Sequence, residues 1–234
     1  MNARDRLIVA LDVPKADAAR ALVDRLSGRV GLFKIGSQVF TAAGPELVRE
    51  IVGRGEKVFL DLKFHDIPNT VAGAVSSASR LGVSLVDVHG LGGRAMMEAA
   101  VGALPAMATR LLAITILTSH DDETLGEIGV NGSVAESVRR LAELAKDAGT
   151  DGVVASPHEV GTIREACGSD FLIVTPGIRP AGAALGDQAR PATPAAALAA
   201  GADYLVVGRP ITEAADPGAA ADAIVAEMES ALRY

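Results

Sequence analysis

Eight apolar, strand-like runs alternate with helical patterns along a chain of 234 residues. Together they predict an α/β fold, a single-domain (β/α)8 TIM barrel spanning residues 1–234. Three observations carry that expectation. The runs are mostly continuous in their apolar character, as parallel strands covered on both faces are. Helical stretches lie between them and supply the crossovers that a parallel sheet needs. The turn after the first run, Asp12-Val13-Pro14-Lys15, has no glycine-rich dinucleotide fingerprint, which disfavours an open doubly wound sheet.

Taken in order, Leu7 to Val13 is the first strand, with a helix over about 15–26 after it. Gly31 to Gly36 is the second, followed by a helix from Pro45 to about Arg54, where proline suits the first helical turn. The third starts at Val58 and leads into a helix over about 69–81. Ser84 to His89 is the fourth, and Gly92-Gly93 opens the next helix. Leu111 to Leu117 is the fifth; a polar loop and a long amphipathic helix over about 133–148 follow it. Gly152 to Ala155, Phe171 to Thr175 and Tyr204 to Gly208 complete the set. Their helices fall at about 157–166, 195–200 and 217–232, and a Gly/Ala/Pro-rich loop occupies about 178–193.

Composition narrows the function. Hydrophobic residues make up 49% of the chain, enough for a substantial core. A net charge of −7, no Trp and only 3% aromatics argue against nucleic acid as a partner, while leaving room for a small anionic ligand held by local positive groups. No apolar run is long enough for a membrane span, and residues 1–6 lack a signal-peptide core, so the expected compartment is the cytoplasm. Cys167 is the single cysteine; it excludes an intramolecular disulfide and reads as a packing residue.

The third strand carries the chemistry. Val58, Leu60, Leu62 and Phe64 form one apolar face, whereas Phe59, Asp61 and Lys63 share the other. Asp66 follows three residues after the lysine. Charges buried together must satisfy one another, so a cluster at a strand end marks a functional site first. In a barrel the strand ends converge on one mouth. There the first strand adds Asp12, the second Lys34, the fourth Asp87 and His89, and the fifth Thr118 and Ser119. The seventh and eighth end in Pro176-Gly177-Ile178-Arg179 and Gly208-Arg209-Pro210, and the loops after these two strands are a recurrent phosphate site. Three readings of the charged cluster compete. One is a structural ion-pair network; another is a metal site drawing on His65, Asp66, Asp87 and His89, as in sugar-phosphate epimerases. The third is a metal-free acid–base centre on Lys63, favoured because alternating lysines and carboxylates compensate one another.

The run Asp61-Leu62-Lys63-Phe64-His65-Asp66-Ile67-Pro68-Asn69-Thr70 closely resembles the signature of the orotidine 5′-monophosphate decarboxylase family. Leu11-Asp12, Phe33-Lys34-Ile35-Gly36, Leu117-Thr118-Ser119, Thr175-Pro176-Gly177-Ile178-Arg179 and Val207-Gly208-Arg209-Pro210-Ile211 extend the resemblance over the chain. It implies that Lys63 delivers a proton to C6 of the pyrimidine as carbon dioxide leaves, inside an array with Lys34 and Asp61. It further implies that Asp12 and Lys34 contact the ribose, and Thr118 or Ser119 the ring. Arg209, the Gly208 backbone, Gln188 and Arg179 would hold the phosphate. Asp66, Ile67 and Thr70 would reach into the neighbouring site of a homodimer, and the loop from Ile178 to Pro191 would close over the ligand. No metal or organic cofactor is expected.

Overall fold

Strand β1 (Leu7–Ala10) pairs in parallel with β2 (Leu32–Gly36) on one side and β8 (Tyr204–Val207) on the other, so the sheet closes on itself. The structure, a computed structural model, describes residues 1–105, 109–180 and 192–232. Between those strands, β3 (Val58–Phe64), β4 (Leu85–His89), β5 (Arg110–Ile114), β6 (Gly152–Val154) and β7 (Leu172–Thr175) follow in chain order, each parallel to the last. The eight-stranded barrel expected from the apolar runs is the fold observed. Gly152 lets β6 lie close against β7: a Cβ there would sit 2.3 Å from the Leu172 carbonyl oxygen, so only glycine fits.

Helices ring the barrel. They are α1 (Ala3–Arg6), α2 (Ala16–Leu26), α3 (Ser37–Ala43), α4 (Pro45–Gly53), α5 (Pro68–Ser79), α6 (Gly93–Gly102), α7 (Asp122–Glu127), α8 (Val134–Asp147), α9 (Val160–Cys167), α10 (Pro194–Ala199), α11 (Arg209–Thr212) and α12 (Pro217–Leu232). The strongest start signal is on α8, where Ser133 and Glu136 form a reciprocal capping box. Helix α3 was not expected. It fits between Gly36 and Gly44, whose left-handed backbone (φ 67°) ends it before Pro45 starts α4. Two strands stop three residues before their apolar runs do. Val13 N–H turns back onto the Leu11 carbonyl, so β1 stops at Ala10, and β5 stops at Ile114.

Two apolar layers result. The larger lies between strands and helices and includes Leu7, Val9, Phe33, Leu60, Val86 and Cys167, which is buried as a packing residue. The smaller fills the barrel: Ile8, Leu32, Phe59, Leu85, Leu112, Val174, Tyr204 and Val206. Each such side chain removed from water contributes about 1.5–3 kcal/mol. Further towards the C-terminal ends of the strands stand Lys34, Asp61, Lys63 and Asp87, with Asp12 just past the end of β1. The barrel therefore has an apolar floor and a charged mouth.

Candidate active site

A cavity of about 560 Å³ opens at that mouth, lined by Asp12, Lys34, Asp61 and Lys63 on one side. Thr118, Ser119, Pro176, Gly177, Arg179, Gly208 and Arg209 line the other. Its base is formed by Ala10, Phe59, Ile114, Val154 and Val206, the upper surface of the barrel core.

On the charged side the groups form a chain. Lys34 Nζ lies 3.0 Å from Asp12 Oδ1 and 3.0 Å from Asp61 Oδ2, while Lys63 Nζ donates to Asp61 Oδ1. Gly36 makes room for this: a Cβ there would lie 2.9 Å from both Asp12 Oδ1 and Lys34 Nζ. Lys34 is only 9% exposed and Asp61 7%. Burial alone would discharge Lys34, but the charges of Asp61 and then Asp12 outweigh it and hold the ammonium above its usual range. Burial likewise opposes the Asp61 charge, yet Lys34, then Asp87 beside it, then Lys63 pull its pKa far below the ordinary carboxylate value. Asp61 therefore stays an anion clasped between two ammonium groups.

The backbone at Lys63 is unusual. Its φ of 52° makes it the one non-glycine residue in the left-handed region among the described residues. Such a conformation costs on the order of 1 kcal/mol or more for a lysine. It coincides with an interruption of the β3–β4 ladder. Leu60 pairs with Val86 and Phe64 with Val88, so four steps along β3 match two along β4. Strict two-residue alternation through Phe64, as read from sequence, is therefore broken within this segment, although Asp61 and Lys63 still meet.

Asp66 needs a correction. Read from spacing, it joins Asp61 and Lys63 in one buried cluster; in this chain its residue is exposed, and its Oδ1 accepts the Ile67 N–H at 2.6 Å. The reason is local: β3 ends at Phe64, and residues 65–70 run over the surface into α5. Ile67 is 66% exposed and Thr70 is exposed; neither lines the cavity of its own chain. The acid that does sit behind Lys63 is Asp87 on β4, fully buried, with Oδ1 accepting the Lys63 N–H at 2.8 Å. Sequence reading placed Asp87 at the mouth and gave it a role only as one of the candidate metal ligands. The signal was a lone acid between Val86 and Val88 in an otherwise apolar strand.

The proposed metal ligands are not assembled. His65 and His89 stack with ring centroids 5.3 Å apart, and His89 Nδ1 accepts the Leu91 N–H at 3.3 Å. Burial first, then nearby His65 and Lys63, push the His89 pKa down to about 4, so its ring is neutral at ordinary pH. Among the described residues no three His, Cys, Asp or Glu side chains are grouped to hold a metal ion.

The opposite side is built from turns. Gly177 takes a positive φ of 78°, which lets the chain leave β7 sharply. Arg179 is buried, donates to the Ile178 carbonyl at 2.9 Å, and has its backbone N–H on Ala192 O. Burial and then the nearby Arg209 charge lower its pKa, the mark of two cations sharing one region. Both Thr118 and Ser119 border the cavity. Gln188, and the loop from Ile178 to Pro191 beyond Pro180, lie outside the described residues.

Fold and site together define an α/β-barrel enzyme whose reactive groups stand at the C-terminal mouth of the strands. A family model described as "Orotidine 5'-phosphate decarboxylase / HUMPS family" matches residues 5–224, and the chain belongs to that family. A protein of Moorella thermoacetica named orotidine 5'-phosphate decarboxylase is 57% identical over 98% of this chain and 94% of its own. One of the same name from Halorhodospira halophila is 59% identical, with 97% of each chain covered. The crystal structure of orotidine 5'-phosphate decarboxylase from Lactobacillus acidophilus superposes with a TM-score of 0.84 at 40% identity, covering 95% of this chain and 98% of that one. No described helix is long and apolar enough to cross a membrane.

Proposed function

We propose that this chain decarboxylates orotidine 5′-monophosphate to uridine 5′-monophosphate, the last step of de novo pyrimidine nucleotide synthesis. The observation that carries the reading is the buried Lys34–Asp61–Lys63 chain facing two arginines across a cavity of about 560 Å³. That volume suits a nucleotide. The arginine side takes the phosphate through Arg209, the Gly208 backbone and Arg179, with Gln188 contributed by the loop. Asp12 and Lys34 bind the ribose hydroxyls, and Thr118 or Ser119 the pyrimidine.

In this arrangement the orotate carboxylate lies beside Asp61. The bond between C6 and the carboxyl carbon breaks, carbon dioxide leaves, and the electron pair remains on C6. Lys63 Nζ then gives its proton to C6, and solvent restores that proton afterwards. The same ammonium stabilises the charge as it develops, because it is fixed beside the reacting carbon before the reaction starts. Asp61 and Lys34 hold it there. Phosphate binding, remote from C6, supplies energy that keeps the substrate in this geometry. A lysine proton donor leaves the step without need of a metal or organic cofactor.

The exposed segment from Asp66 to Thr70 is read as the dimer contact. Asp66, Ile67 and Thr70 complete the site of a second copy, which explains why a large apolar side chain such as Ile67 stands in solvent in the single chain. Purified, chelator-treated protein mixed with orotidine 5′-monophosphate tests the reaction. Loss of the orotate absorbance is expected from the wild type and not from Lys63→Ala; a wild type without turnover would sink the reading.

A further inference from the structure

Asp87 is the buried group that the proposed reaction leaves unused. It is fully buried on β4, opposite the interrupted part of β3, and it touches the chemistry only through Lys63 and Asp61. Its Oδ1 accepts the backbone N–H of Lys63 at 2.8 Å, at the residue with the left-handed φ of 52°. Its Oδ2 is buried without an ordinary hydrogen-bond donor. We propose that Asp87 is a positioning residue for Lys63: its side chain replaces the missing ladder partner, clamps the strained backbone and so aims Nζ at Asp61.

Three observations meet here. An L-residue leaves the left-handed region unless its surroundings over-determine it, and the Asp87 bond is a specific restraint on that peptide. The β3–β4 ladder is interrupted between Leu60 and Phe64, and across that interruption Lys63 Nζ still donates to Asp61 Oδ1. The carboxyl at Asp87 also avoids placing a second anion against Asp61. Burial and then the Asp61 charge raise its pKa well above the usual carboxylate range, which favours the neutral acid over a second anion. The charged groups facing it are Asp61 and Lys63, both from β3. A neutral amide of the same shape could accept the Lys63 N–H in the same way.

The inference rests on Lys63 being the proton donor, and its test separates the two. Asp87→Asn, Asp87→Ala and Asp87→Leu are compared with wild type for turnover of orotidine 5′-monophosphate, for binding of uridine 5′-monophosphate by calorimetry, and for the Lys63 backbone by crystallography. Misplacing a reacting group by about 1 Å costs about 100-fold. Ala and Leu should therefore lower kcat by about that factor, with product affinity within threefold and Lys63 φ returned to negative values. Asn should recover kcat to within about threefold and keep the left-handed φ. Wild-type kcat in Ala or Leu, or a left-handed Lys63 in their structures, overturns the proposal. So does a 100-fold loss in Asn. Should Ala leave too large a gap to fold, Leu fills the volume and carries the same test. A wild type that does not decarboxylate would defeat the functional reading instead, while the backbone measurement would still decide the clamp.

Discussion

The two sides of the cavity are built on opposite plans. On the side of β1 to β3, the cations are matched to anions before any ligand arrives: Lys34 to Asp12 and Asp61, Lys63 to Asp61. On the side of β7 and β8, two arginines are close enough for one to lower the other's pKa. The first side is preorganised and gains little by taking up another charge. The second presents two cations to the cavity, where an arriving anion can form charge-assisted hydrogen bonds. One end of the substrate should therefore be gripped and the other end acted on.

Removing Lys63 is the hardest test of the first side. General acid catalysis contributes about 10²–10⁴-fold and a fixed charge about 10²–10³-fold. Lys63→Ala should thus lower kcat by about 10⁴-fold or more while leaving KM within a few-fold. A comparable rise in KM with little loss of kcat would mean that Lys63 only binds. Arg209→Ala should behave in the reverse sense. It should raise KM by about 100-fold, because a charge-assisted contact to the phosphate is lost from ground and transition states alike. Any additional fall in kcat would measure how much phosphate binding helps the remote step.

Asp66 belongs to neither side of its own chain. If it serves a neighbour, Lys63→Ala and Asp66→Ala subunits, each nearly inactive alone, should complement when mixed. Random pairing gives about half mixed dimers with one intact site in two, or about a quarter of wild-type activity. No recovery after verified subunit exchange would place Asp66 in its own chain's site.

How far this was legible from sequence follows the same division. Apolar runs of strand length with helical patterns between them specified the barrel, because period and burial leave a strong trace. Two-residue spacing put Asp61 and Lys63 on one face, and the glycine turns marked the seventh and eighth strands. Three things were not legible. A lysine at positive φ carries no residue signature, since glycine or asparagine normally marks that region. Asp66 lies past the end of the strand, where spacing no longer predicts direction. Asp87 could be placed on a face of β4, but its partner is set by a register shift between two strands 24 residues apart, which only the fold reveals.

The acid groups differ in their pH dependence, and the signs are opposite. Asp61 has a depressed pKa in the folded chain. It contributes stability that is present above about pH 4 and is lost as pH falls towards its folded value. Asp87 has a raised one, so the folded chain holds a proton that the unfolded chain has released above about pH 4. Its contribution falls as pH rises from there. Asp87→Asn removes only that second dependence. The melting temperature of the Asn variant relative to wild type should rise between pH 5 and pH 8, by at most about 3–5 °C per pH unit. A flat difference would mean that the Asp87 carboxyl is charged in the folded protein.

Salt should separate the two sides with the smallest effect of all. Screening shortens from about 10 Å at 0.1 M to about 3 Å at 1 M, but it acts mainly on charges that water can reach. Lys34 and Asp61 are almost wholly buried and already in contact, so their alignment of Lys63 should not respond. Capture of a dianionic phosphate from solution must respond, because the attraction operates while solvent still separates the partners. Raising salt across that range should therefore increase KM about three- to tenfold and leave kcat within about twofold. Steady-state turnover of orotidine 5′-monophosphate at matched pH measures both. A fall in kcat equal to the rise in KM would show that the lysine–aspartate chain depends on the ligand for its order, and the contrast between a preorganised side and a ligand-completed side would fail.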